Sequence, residues 1–423
     1  MNITGMRVCH QVHPLGISPQ GVTLAYRVEG SCGRRQEAAR ILLSHAPSPE
    51  QVCHDTGWVS CAYDEDTGRL VAGIDALGYS LPAALAPRTR YWWQVRVRTD
   101  AKEEAVSEWS WFETAKGEKE PWQGRFIGSP LSREIRPLFE KAFTAVKPVA
   151  SARMYCLGLG VYEAGLNGAK LGDEVLLPGL HTYDKALQYQ TFELPVRQGE
   201  NTVSFLLGQG WYMGRYGLKA SAPRYGTDYA LIAELHICYD DGTEDVFGTD
   251  ESWQVRPSQV TFDGIYDGEA QDANLLHAQT EPRHAVAVSG LDPALRMPRL
   301  SPPLRVQEKR AAALAGEAGT ILDFGQNVAG WVSFRCHAPK GTVVRLRFGE
   351  LLRAGQVYRG NLRSAKCEFT YVSDGEERVV CPHFTYFGFR YAEVEGLPVP
   401  LRPEDYTACV IHSDMERTGW IET

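Results

Sequence analysis

Apolar and polar positions alternate with a period of two over most of this chain. Leu231, Ala233, Leu235, Ile237 and Tyr239 fall on one face of an extended run. Asp240-Asp241-Gly242-Thr243 then supplies a hairpin turn before Glu244-Asp245-Val246-Phe247. Thr342, Val344, Leu346 and Phe348 alternate with Val343, Arg345 and Arg347, and Cys367, Phe369 and Tyr371 lead through Ser373-Asp374-Gly375 into Arg378-Val379-Val380. Successive side chains of a strand point to opposite faces, so this pattern predicts half-buried strands. Short strands separated by turns predict sandwiches or open barrels rather than βαβ units. Helical periodicity is scarce and short, and 308–315 is where a helix is expected. The fold class is all-β.

Composition shifts predict the domains. Ala115-Lys116-Gly117-Glu118-Lys119-Glu120-Pro121 is a charged break, and Pro293, Pro298, Pro302 and Pro303 mark a linker. The expected organisation is a first domain over 1–118, a second over 119–300, a third over 301–412 and a tail over 413–423. A length of 423 residues agrees with this, at about 150 residues per domain.

Charge and cysteine usage narrow the partners. The net charge of −8 argues against nucleic acid, which selects a basic excess. No apolar run approaches the roughly 18 residues of a membrane span. Met1-Asn2-Ile3-Thr4-Gly5-Met6-Arg7 lacks a secretory signal, so a cytoplasmic location is expected and the Asn2-Ile3-Thr4 sequon carries no meaning. The ten cysteines include no CxxC pair and are expected as reduced, small buried hydrophobes.

Few motifs carry chemistry by themselves. Gly158-Leu159-Gly160-Val161-Tyr162-Glu163 has Glu where a dinucleotide fingerprint needs its third Gly, and no helix follows. Asn167-Gly168 predicts a type I′ hairpin tip. The acidic stretch from Asp263 to Asp272 offers either oxygen ligands for calcium or a solvated loop whose carboxylates bond backbone groups. No nucleophile elbow or Ser/His/Asp order stands out. Carbohydrate sites combine an aromatic face for sugar C–H surface with amides and carboxylates for hydroxyls. The candidates of that kind are Asn167, Trp211, Tyr212, Asp267, Glu269 and Asp272, with core packing and local backbone bonding as the competing account.

Two resemblances extend this picture. Leu85-Ala86-Pro87-Arg88-Thr89-Arg90-Tyr91-Trp92-Trp93-Gln94-Val95-Arg96-Val97 resembles the fibronectin type III pattern, which implies a tyrosine corner at Tyr91 and Trp93, Val95 and Val97 facing the core. Further along, Leu166-Asn167-Gly168, Leu177-Pro178-Gly179, Thr182-Tyr183-Asp184, Gln188-Tyr189-Gln190-Thr191, Leu207-Gly208-Gln209-Gly210-Trp211-Tyr212-Met213-Gly214 and Tyr266-Asp267-Gly268-Glu269 occur in order. So do Leu322-Asp323-Phe324-Gly325-Gln326-Asn327-Val328-Ala329-Gly330-Trp331, Asn361-Leu362-Arg363-Ser364-Ala365 and Phe384-Thr385-Tyr386-Phe387-Gly388-Phe389-Arg390-Tyr391. Together they resemble the N-terminal β-domains of bacterial α-L-rhamnosidases.

That resemblance implies jelly-roll or sandwich domains, rhamnose-containing glycans as partners, and a helical catalytic barrel in cis that hydrolyses terminal α-L-rhamnosides with inversion. Some relatives bind rhamnose through calcium, which would give the acidic stretch a use. Leu180 departs from the Trp that many members place after Pro-Gly. Ser413-Asp414-Met415-Glu416-Arg417-Thr418-Gly419-Trp420 resembles the junction before the barrel, so the family's catalytic residues map onto no position here and the chain alone is expected to be inactive. The alternatives are a stand-alone rhamnose-binding module and a purely structural scaffold.

Overall fold

The computed structural model describes every residue except 83, 218–222, 316–318, 398–399, 416, 418 and 423. Two residues of the expected junction, Glu416 and Thr418, thus lie outside the described residues. Strands dominate, and the α-helix Gly210–Met213 has four residues. The described chain separates into two compact units. One comprises Met1–Pro121 with Met297–Leu300, and the other Trp122–Arg296 with Ser301–Thr423.

The first unit is a sandwich. One sheet runs in the order Leu15–Ile17, Ser110–Thr114, Arg90–Thr99, Gln36–Ser44 and Val52–Asp55; the other holds Asn2–Val8, Thr23–Glu29 and Tyr79–Ser80. Trp93, Val95 and Val97 are completely buried between them, as the alternation predicts. The Tyr91 hydroxyl oxygen accepts the Ala86 N–H at 3.0 Å, which is the tyrosine corner.

The second unit contains two β-structures. In the first, Ile127–Gly128, Ala230–Tyr239, Val149–Leu159 and Leu187–Glu193 are neighbours in one sheet. The facing sheet orders Ala169–Lys170, Val161–Leu166, Gly199–Gly208, Pro137–Ala145, Gln254–Pro257 and Arg283–His284. Phe139, Phe205, Leu207, Leu231 and Ile237 close the core between them. Ala230–Tyr239 is buried on both faces, beyond what its alternation suggests. Its polar face is sealed because Glu234 receives the Gln123 N–H at 2.5 Å and meets His236 at 2.5 Å, while His236 reaches Glu244 at 2.9 Å.

The second β-structure is a ten-stranded sheet with the main order Val260–Gly264, Gly268–Asp272, Glu368–Val372, Val343–Gly349, Phe387–Glu395, Ile321–Cys336, Tyr406–Ser413 and Leu304–Ala311. The acidic stretch is therefore a strand pair, not a solvated loop. Gly268–Asp272 runs parallel to Glu368–Val372, so residues 260–272 extend a sheet built mainly from residues beyond 300.

The helix expected at 308–315 does not form. Those residues lie in strands Leu304–Ala311 and Ala313–Ala315, paired with Tyr406–Ser413 and Ile321–Cys336 respectively. Eight residues are too few for an isolated helix, and hydrogen bonding to an existing sheet edge overrides their weak propensity. The cysteines are free, but only Cys156, Cys336 and Cys409 are fully buried; Cys32 and Cys53 are exposed.

Candidate functional site

Two places in the second unit bear on the residues singled out from the sequence. The first is the chain around Gly210–Met213. Trp211 packs inward, only 6% exposed, whereas the ring of Tyr212 meets Tyr183 at 5.2 Å between centroids. Tyr183 also meets Tyr225 at 5.1 Å and His181 at 3.9 Å. The Tyr212 carbonyl accepts the Tyr225 N–H at 3.2 Å, which fixes the two rings' strands of chain together. Burial depresses His181 to about 4, so its imidazole is neutral. Tyr183, buried among other phenols, is held far above the usual tyrosine range.

The second place is the seam between the two β-structures, and it is built from ions. Arg136 and Asp263 are both almost fully buried; Nε donates to Oδ1 at 2.5 Å and Nη2 donates to the Asp263 carbonyl at 3.1 Å. The other Asp263 oxygen accepts the Gln209 N–H at 2.8 Å. Glu163, on the strand Val161–Leu166, meets His383 Nδ1 at 2.9 Å and Lys170 at 2.8 Å. Burial alone would raise the Glu163 carboxyl, but His383 and Lys170 outweigh it and bring it down to about 2. Burial would likewise lower His383, and the Glu163 carboxylate outweighs it, raising the imidazole to about 9.

The residues singled out from the sequence do not converge. Asn167 sits at an exposed hairpin tip, where Nδ2 donates to Asn201 at 3.0 Å and Oδ1 accepts the Thr202 N–H at 2.9 Å. Asp267 holds Arg215 through two hydrogen bonds of 2.6 and 2.8 Å, which keeps its carboxyl below the usual range. Arg215 Nη2 also donates to the Ser364 carbonyl at 2.7 Å, so Asp267 and Arg215 clip the Trp211 segment to the ten-stranded sheet. Glu269 is buried beneath the Phe384 N–H at 2.7 Å and the His383 N–H at 3.0 Å, and burial pushes it up to about 7. Asp272 caps the turn Ala273–His277 by accepting the Asn274 N–H at 3.0 Å.

Only Trp211 and Tyr212 share a place, with Asp267 linked to them through Arg215. Among the described residues, no group of three His, Cys, Asp or Glu is disposed to hold a metal ion. Arg136 and His383 went unmarked in the sequence, and Glu163 was marked only as the residue that breaks a dinucleotide fingerprint. His383 stands directly before the Phe384-Thr385-Tyr386 run, and that adjacency was the only available signal.

Three family models match in succession. Residues 3–118 match the Rha78A-like N-terminal immunoglobulin domain, 147–292 the α-L-rhamnosidase N-terminal domain, and 314–412 the bacterial α-L-rhamnosidase concanavalin-like domain. The chain belongs to the family of α-L-rhamnosidase N-terminal domains. An α-L-rhamnosidase of Streptomyces avermitilis is 35% identical to it over 72% of this chain and 30% of that protein. One from Formosa agariphila is 26% identical over 97% of this chain and 48% of that protein. The chain thus spans half or less of the length of these curated relatives. The crystal structure of the native α-L-rhamnosidase from Aspergillus terreus superposes with a TM-score of 0.86 at 28% identity, covering 99% of this chain and 50% of that one. A Streptomyces avermitilis α-L-rhamnosidase solved with L-rhamnose gives 0.87 at 21% identity over 98% and 57%, which shows the shared fold. Glu163, Arg215, Asp263 and Asp267 lie within the residues that match the α-L-rhamnosidase N-terminal domain, His383 within those that match the concanavalin-like domain, and the first unit holds the immunoglobulin match.

Proposed function

We propose that this chain is the non-catalytic N-terminal part of an α-L-rhamnosidase, a β-scaffold for a hydrolytic domain in cis that acts on rhamnose-containing glycosides. The observation that carries this reading is the length relation: relatives named as α-L-rhamnosidases match along nearly all of this chain, yet it spans half of them or less. The carboxylates of the two sites support it. Inverting hydrolysis needs an acid and a base with room for a water between them. Asp263 is taken by Arg136, Glu163 by His383 and Lys170, and Asp267 by Arg215, while Glu269 is covered by backbone N–H groups. Each of these is committed to holding elements together.

The test is release of the aglycone from an aryl α-L-rhamnoside by the purified chain. No release above the uncatalysed rate is expected. Turnover abolished by a single carboxylate substitution within the chain would overturn the proposal.

A further inference from the structure

A cavity of about 410 Å³ opens beside the seam, with Gln259, Gln271, Leu276, Arg378, Val379 and His383 in its wall. Its size falls within the roughly 300–1,000 Å³ of small-molecule sites. None of these residues was among the candidates for sugar contact, and none belongs to the tyrosine cluster.

The wall's charges arrive already compensated. His383 Nδ1 faces Glu163 at 2.9 Å and Arg378 Nη2 donates to Asp374 at 2.6 Å. Glu377, also in the wall, has Arg335 at 3.9 Å and His337 at 3.6 Å. A neutral ligand is therefore favoured over a charged one. The remaining groups offer both donors and acceptors. Gln271 Nε2 donates to Glu269 at 2.7 Å and to the Cys381 carbonyl at 2.8 Å, leaving the amide oxygen as an acceptor. His383 Nε2 lies 3.4 Å from the Gln259 amide nitrogen, so turning that amide gives an N–H···O pair that still has donors to spare. Tyr371 lines the same wall, and its hydroxyl has no partner among the described residues.

Apolar surface completes the wall. Leu276 and Val379 are 45% and 73% exposed, large values for residues of their kind beside a cavity. Amides and an imidazole next to exposed aliphatic side chains match a ligand with hydroxyls on its edge and C–H groups on its faces. We propose that this cavity binds a neutral monosaccharide or a terminal sugar residue of a glycan. The inference stands on the cavity and not on the hydrolase reading: failure to bind sugar would leave that reading intact, and turnover by the chain would leave this one intact.

The experiment is titration of the full chain with L-rhamnose, D-galactose, D-glucose and D-glucuronate, read by calorimetry and ligand-observed NMR. At least one neutral sugar should saturate with Kd on the order of a millimolar, since one small polar ligand buries little surface, and glucuronate should bind more weakly. Val379→Arg, at an exposed position that leaves the core untouched, should weaken binding about tenfold or more, with circular dichroism and Tm unchanged. Tyr212→Ala should leave binding as it is. No saturable signal with any neutral sugar to high millimolar concentration would overturn the proposal. So would glucuronate binding more tightly than every neutral sugar, Val379→Arg binding like the wild type, or loss of binding through Tyr212→Ala alone.

Discussion

Arg136 and Asp263 show what one buried pair decides. Their side chains are 2% and 0% exposed, and each charge is met by the other and by backbone groups in place of water. Asp263→Ala strands the guanidinium, and a loss of about 3–5 kcal/mol is expected in urea denaturation. A loss below about 1 kcal/mol would show that water reaches the seam. The Glu163–His383 pair is more open, with side chains 19% and 23% exposed, so His383→Gln should cost less, about 1–2 kcal/mol. Its pH dependence has a definite sign. His383 is raised from 6.5 to about 9, so its stabilisation is full below 6.5 and fades as pH rises through 9. Glu163 is lowered from 4.5 to about 2, so its share is full above 4.5 and fades as pH falls through 2. The Tm gap between wild type and His383→Gln should therefore be widest between 4.5 and 6.5 and close above about pH 9. A gap of the same size at about pH 10 would remove the ion pair from the account.

At the scale of elements, two glycines in the same family pattern answer to different causes. Gly168, at the tip after Asn167, has φ +80° and open space where a Cβ would stand. Gly168→Ala strains only the turn and should cost about 1 kcal/mol. Gly268 has φ +111°, and a Cβ there would lie 1.7 Å from the Glu368 carbonyl oxygen of the neighbouring parallel strand. Gly268→Ala should cost about 3 kcal/mol or more, or leave the chain insoluble. Comparing the two variants by thermal melts checks both, and equal losses would contradict the close approach of 268–272 to 368–372. The Asp-Gly-Glu run at 267–269 thus owes its composition to a clip, a strand contact and a buried cap. The sequence suggested sugar contacts there because carboxylates look alike until their partners are known.

For the whole molecule, exposure refines where the chain is open to attack. The segment 115–121 was expected to be a loose break, yet Lys116 is 2% exposed and lies 3.5 Å from Glu120. Lys119 is exposed. Brief trypsin digestion should cut after Lys119 before Lys116, and first cuts within Arg90–Thr99 or Ala230–Tyr239 would contradict the packing of both units. Much of the architecture was legible in the sequence. Period-two alternation, Asp-Gly and Asn-Gly turns and the Tyr91 corner are local, since side-chain direction and turn geometry depend on neighbours in the chain. The ordered motifs gave the family for a related reason: each glycine, proline or aromatic marks a tight spot in one shared fold. Partnership between residues far apart was not legible. Arg136 with Asp263, Glu163 with His383, the strand Leu304–Ala311 with Tyr406–Ser413, and the cavity beside Val379 each join segments far apart in the chain. No local pattern encodes such pairs, because a buried charge or an edge strand takes its partner from whatever the folded chain brings beside it.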